Sequence, residues 1–284
     1  MRPALLYLHQ IQGGFTLPVL HTVVLALVQG IAEFLPISSH AHLQLVSAFT
    51  GWPDQGLMID VAVHVGTLGA VMVYFWRDLW DMTAGVLRLL MGRGSRGARL
   101  AGYLIVGTLP ALAAGYLVSR YYPNGIRGVE IIAWTTLGFG VVLYIADKVG
   151  MTVRRIEHIK LGDIIIIGCA QVLALIPGTS RSGITMTAAR ILGMERRDGA
   201  RLSMLLSIPV IIGAGSLKGW ELYQSGNAAL TDDAILAAGL SFTAALMVMA
   251  ALMAWLKRYT YTPFVIYRIA LGVFLLAVVY GWLG

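Results

Sequence analysis

Gln29–His42 reads QGIAEFLPISSHAH, and Gln171–Thr185 reads QVLALIPGTSRSGIT. Each stretch lies inside an apolar run long enough to enter a bilayer, and each interrupts that run with a proline followed by small hydroxyl residues. A plain membrane anchor has no use for such a break. Glu33, Ser38, Ser39, His40 and His42 in the first, and Ser180, Arg181, Ser182 and Thr185 in the second, stand at depths where polar groups are costly. A central charge costs about 2.5–3.5 kcal/mol on insertion scales, so ionisable residues there are candidates for function.

The rest of the chain supports a membrane setting. Of 284 residues, 58% are hydrophobic and 12% charged, which points to a polytopic membrane protein rather than a soluble enzyme. A net charge of +7 in so apolar a chain fits positive-inside flanks and anionic head groups, and argues against a nucleic-acid partner. The single cysteine, Cys169, excludes an internal disulfide and is expected as a small core residue. Residues 1–14 lack an A-x-A-like site, so no cleaved signal peptide is expected.

A spanning helix needs about 20 apolar residues. Stretches near 56–76, 100–119, 129–147, 198–219, 233–256 and 263–283 meet that need without a mid-run motif. The Arg77–Arg99 loop, with Arg88, Arg93 and Arg96, and the Lys148–Lys160 connection, with Arg154 and Arg155, read as cytoplasmic. The linker from Lys218 to Asp233, carrying Glu221, Asp232 and Asp233, reads as external. By parity the segment 17–50 enters and leaves from outside, whereas 161–193 enters and leaves from inside. The expected fold is therefore an all-α polytopic membrane protein with six transmembrane helices and two re-entrant helix hairpins in an inverted-topology repeat. It forms one integral domain over 1–284, with repeat 1 at about 17–147 and repeat 2 at about 161–283. Broken backbone is tolerated at membrane depth where it lines a cavity, so both proline tips should meet near the midplane.

After Pro36 and Pro177 a second half-helix begins, and its free N–H groups point at the meeting place. That is an anion site, to which Ser38, Ser39, Thr179 and Ser180 add hydroxyls. Arg181 supplies a planar fork of donors that matches phosphate oxygens. A serine hydroxyl needs a base to become a nucleophile, and His42 lies one helical turn after Ser39. Glu33 either joins the proton relay or holds a divalent cation. The plainer alternative is that these hydroxyl and imidazole groups only cap a broken helix.

Two motifs carry a family likeness. Gln29, Glu33, Pro36, Ser38, Ser39 and His42 fit a (Glu/Gln)-x-x-x-Glu, Pro-x-Ser-Ser-x-x-His block. Pro177, Gly178, Ser180, Arg181, Ser182 and Thr185 fit a Pro-Gly-x-Ser-Arg-Ser-x-x-Thr block. With both in order, the chain resembles the undecaprenyl-diphosphatase family of the bacitracin-resistance type over nearly its full length. The resemblance implies a phosphatase of the bacterial cytoplasmic membrane, with its site open to the outer face. It would convert undecaprenyl diphosphate to the monophosphate carrier for peptidoglycan synthesis, using Mg or Ca. By the same likeness Ser39 is the nucleophile or positions it, His42 is acid/base or itself attacks, and Arg181 clamps the diphosphate. Glu33 with Gln29 organises the metal, while Ser38, Gly178, Ser180, Ser182 and Thr185 bind substrate. The chain departs from the pattern in having Gln29 where many relatives have glutamate, and His40-Ala41 where Thr-Gly is common. A homodimer is left open.

Other residues are weighed more plainly. Asp60 and His64, four apart on one face, either support the site or pack helices. His9, His21 and His158 read as interfacial or loop residues, and Met247, Met249 and Met253 as packing. The rival function is a polyprenyl-phosphate transporter or flippase, since inverted repeats with broken midplane helices suit transport. A serine and a histidine facing an arginine are more than binding requires, which favours the enzyme.

Overall fold

Among the described residues, which are helical with no strand, six helices are long and apolar enough to cross a membrane, as in a multi-pass membrane protein. The computed structural model describes residues 19–52, 56–121, 128–224 and 232–282; His9 and the expectation about a signal peptide lie outside them. The six are α3 (Gly56–Tyr74), α5 (Arg96–Tyr121), α6 (Val129–Val149), α9 (Arg196–Gln224), α10 (Asp232–Trp255) and α11 (Thr262–Val279). Each expected span falls on one of them. Two pairs of shorter helices supply the rest: α1 (Val19–Ala32) packs on α2 (Ser39–Thr50), and α7 (Leu161–Val172) packs on α8 (Arg181–Ile191).

Small residues let these helices approach closely, as bilayers favour. A Cβ on Gly66 of α3 would lie 2.2 Å from the Ala238 carbonyl of α10. That contact brings Ser241 to the Val63 carbonyl at 3.0 Å. α10 also packs on α1, α11 on α6, and α5 on α7. Many large apolar side chains point outward, including Trp76, Ile105, Trp134 and Ile266, as expected of a surface that meets hydrocarbon chains.

The Arg77–Arg99 loop is the clearest departure. Most of it is a helix, α4 (Trp76–Leu90), packed against α5. Its apolar positions recur at helical spacing, with Met82 and Gly85 buried and Trp76, Trp80, Leu87 and Leu90 exposed. Asp78 pairs with Arg201 of α9, which anchors it. Too few consecutive apolar residues to span, together with a polar stripe, made it read as a loop. Cys169 is also exposed rather than in the core, because it faces away from the bundle. His21 is buried, its ring 4.5 Å from that of Trp52, whereas His158 is exposed as expected.

Candidate active site

Both short helix pairs break in the same way. α1 ends at Ala32, a turn carries residues 33–37, and α2 starts at Ser39. α7 runs into the 3-10 turn Leu173–Leu175, and α8 starts at Arg181. The residue before each new helix is a serine in left-handed backbone, Ser38 at φ 76° and Ser180 at φ 71°. No other non-glycine among the described residues has positive φ. Such backbone is unfavourable for a residue with a Cβ. Each serine offsets it by capping: Ser38 Oγ accepts from the Ala41 N–H at 3.4 Å, and Ser180 Oγ from the Gly183 N–H at 3.1 Å. Nine residues before each cap stands a buried glutamine, Gln29 and Gln171.

Glu33 is the meeting point of the two breaks. Its Oε1 accepts from Arg181 at 3.0 Å, and its Oε2 from Ser39 Oγ at 2.7 Å and Gln29 Nε2 at 2.8 Å. Arg181 also donates to the Ser203 carbonyl of α9 at 3.1 Å, which aims the guanidinium. A chamber of about 80 Å3 lies here, lined by Ser38, Ser39, His40, Ser180, Arg181 and Glu33. It shares Glu33, Ser39, His40 and Arg181 with a larger cavity of about 460 Å3, whose walls also include Asp60, His64 and Lys218. A hydroxyl in contact with a carboxylate, an arginine and two helix N-termini is an arrangement that can bind a phosphate and place an oxygen nucleophile against it.

The other expected site residues have different neighbours. His42 makes no hydrogen bond to Ser39. Its Nδ1 donates to the Ser38 carbonyl at 2.7 Å, and its Nε2 accepts from the Tyr267 hydroxyl at 2.6 Å. The ring is instead committed to the carbonyl of Ser38, four residues back in the chain. Ser182 donates to the Leu35 carbonyl at 2.7 Å and so ties one break to the other. Thr185 bonds the Arg181 carbonyl at 2.8 Å and Ser203 Oγ at 2.7 Å, behind the chamber. Gly178 has φ 89°, and a Cβ there would lie 2.1 Å from Thr135 Oγ1, so its place is close backbone packing.

Sequence reasoning missed Arg268. It is fully buried on α11 and donates to four carbonyls: Pro36 at 3.2 Å, Gly178 at 2.9 Å, Thr136 at 3.1 Å and Thr135 at 3.4 Å. One guanidinium thus fastens both breaks to α6. The signal was present, a lone cation midway along an apolar span. A second buried cluster joins α6, α8, α9 and α11: Asp147 accepts from Arg190 at 3.1 Å, Arg196 at 2.7 Å and the Tyr261 N–H at 3.2 Å.

Gln29 lies beside Glu33, and its buried side-chain oxygen has no hydrogen-bond partner among the described residues. It turns its amide N–H, not its oxygen, to Glu33. Among the described residues no three His, Cys, Asp or Glu side chains gather as a cage. Glu33 is the carboxylate that lines the chamber, an oxygen donor of the kind that hard divalent cations take.

Comparison with known proteins identifies the family. The family model "Bacitracin resistance protein BacA" matches residues 22–274. Undecaprenyl-diphosphatase 1 of Rhodospirillum rubrum is 52% identical over 268 residues, covering 92% of this chain and 95% of that protein. The undecaprenyl-diphosphatases of Ruegeria pomeroyi and Hahella chejuensis are each 49% identical, covering 92% of this chain and 98% of theirs. A match that takes in both breaks, five of the long helices and most of the sixth leaves one assignment: the chain belongs to the bacitracin resistance protein BacA family.

Proposed function

We propose that the chain hydrolyses undecaprenyl diphosphate to undecaprenyl phosphate and inorganic phosphate, returning the lipid carrier to peptidoglycan synthesis and conferring bacitracin resistance. The relatives' names support the substrate. The observation that carries the chemistry is the convergence of Ser39 and Arg181 on the Glu33 carboxylate.

On this reading the terminal phosphoryl group enters the chamber between the helix starts at Ser39 and Arg181. Arg181 moves its fork from Glu33 to the phosphoryl oxygens, and Ser38 and Ser180 border the same space. Ser39 Oγ attacks the terminal phosphorus in line while Glu33 Oε2, already at 2.7 Å, takes its proton. The bond from phosphorus to the bridging oxygen breaks, and undecaprenyl phosphate leaves. Water then attacks phosphorus and passes one proton to Ser39 Oγ as the bond between them breaks, giving inorganic phosphate, and the proton held by Glu33 leaves to solvent. Bound magnesium or calcium would supply charge neutralisation on the phosphate oxygens, with Glu33 as its protein anchor. His42 holds the Ser38 carbonyl and so positions the attacking turn; acid/base work by His42 would first require release of Tyr267.

Several features support two re-entrant hairpins and an inverted repeat, with halves at about 17–147 and 161–283. The matched caps at Ser38 and Ser180 and the matched glutamines are one. The packing is another, since α1 on α10 and α10 on α3 have counterparts in α7 on α5 and α5 on α9. The large cavity is lined by residues near the start of α3, the start of α6 and the end of α9, away from the arginine-rich connections. That favours a site facing the outer side of the cytoplasmic membrane.

The test is phosphate release from a polyprenyl diphosphate by the purified protein in detergent, with and without Mg or Ca, beside Ser39→Ala and Arg181→Ala. Metal-dependent release lost in both variants is expected. No release by folded wild-type protein that still binds the lipid diphosphate would sink the reading.

A further inference from the structure

The large cavity extends well beyond the space a phosphoryl group needs. Along α9 its lining runs from Val210 to Lys218, eight residues or about 12 Å of helix rise. Arg181 and Lys218 are the arginine and the lysine of the wall, the first beside the chamber and the second half-exposed near the end of α9. Between them α9 contributes only apolar and small residues, while α3 contributes Asp60 and His64. Lys218 Nζ stands 3.5 Å from Asp60 Oδ2, with the two side chains 48% and 23% exposed.

We propose that Lys218, held in reserve by Asp60, is a second phosphate-binding residue at the cavity mouth, receiving a phosphate group on its way between Arg181 and the exterior. This rests on the phosphatase reading above. A lysine near the end of an apolar span commonly extends its ammonium outward to the head groups. Lys218 instead turns into the cavity, across to α3. A long, half-exposed ion pair is held weakly. A phosphate dianion offers more charge and more acceptor oxygens than one carboxylate, so it displaces Asp60 from Lys218. Along α9 itself, Lys218 is the one polar side chain of the cavity wall, so it is the group on that helix able to receive a phosphate.

The incoming lipid head group and the outgoing orthophosphate present the same chemistry, and the experiment separates them. Formation of lipid monophosphate by the full chain in detergent is followed at several orthophosphate concentrations, for wild type, Lys218→Gln, Lys218→Arg and Asp60→Asn. Lys218→Gln should raise the orthophosphate inhibition constant about fivefold, as one half-exposed charged contact would, and Lys218→Arg should stay near wild type. Asp60→Asn should lower it, because the ammonium is then free; this opposite sign distinguishes an anion subsite from general loosening. If the lipid head group uses the subsite, KM shifts in the same two directions; if only the product does, KM stays put. An inhibition constant unmoved or lowered by Lys218→Gln overturns the proposal, even if Asp60→Asn fails to fold. Wild-type protein that makes no monophosphate defeats the phosphatase reading instead.

Discussion

Glu33 Oε1 and the Arg181 guanidinium stand 3.0 Å apart across 148 residues of chain, each almost buried. Arg181→Ala should lower kcat by about 100- to 1000-fold, as loss of a charge-stabilising donor does. It also leaves Glu33 buried without its cation, so the melting temperature should fall. Adding Glu33→Gln should recover the melting temperature and leave activity absent. Phosphate release and thermal melts on the same preparations check both.

Ser39 donates to Glu33, not to His42, so the carboxylate should dominate proton transfer. Glu33→Gln keeps the shape and can still face Ser39. Its kcat should drop by about 100- to 10,000-fold, the range of general base catalysis, with binding of the lipid diphosphate retained. Direct binding measurements beside initial rates will show whether the loss lies in chemistry.

Tyr267 touches the site only through His42. Tyr267→Phe removes the donor to Nε2 but leaves the Nδ1 bond to Ser38, so activity should fall by less than about tenfold, in keeping with one lost neutral hydrogen bond. His42→Ala frees the Ser38 carbonyl as well and should cost more. A Tyr267→Phe enzyme as inactive as His42→Ala would mean that the hydroxyl takes part in proton transfer.

Asp147 balances Arg190 and Arg196 where neither faces the cavity. Asp147→Ala leaves two cations without their carboxylate and should destabilise the fold by about 3–5 kcal/mol. Activity per folded molecule should be unchanged. Detergent melts and activity normalised to folded protein test the two halves of that statement.

Much of this architecture was legible because bilayers impose simple rules. Six long apolar runs became six long helices, and the prolines with their trailing serines marked both breaks. Glu33 and Arg181 were legible as polar residues at forbidden depth. What escaped was set by contacts distant in sequence. Nothing local to His42 foretells the Tyr267 hydroxyl, 225 residues later, and nothing near Ser182 foretells the Leu35 carbonyl. α4 escaped for a different reason: it satisfies an interface rather than a span, and its arginines masked a helical stripe.

Arg268 has a mechanical consequence. Its fully buried guanidinium holds the Pro36 carbonyl from the first half of the chain and the Gly178 carbonyl from the second. Swinging one half against the other, as a rocking carrier must, would strip those carbonyls in a dry interior at a cost of about 1–3 kcal/mol each. Arg268→Met should therefore let the two tips drift apart, visible as faster backbone amide exchange at residues 33–37 and 176–180 together. Arg268 thus joins the two tips like a common pin between two jaws, so on this geometry the exchange rates of both tips should rise and fall together.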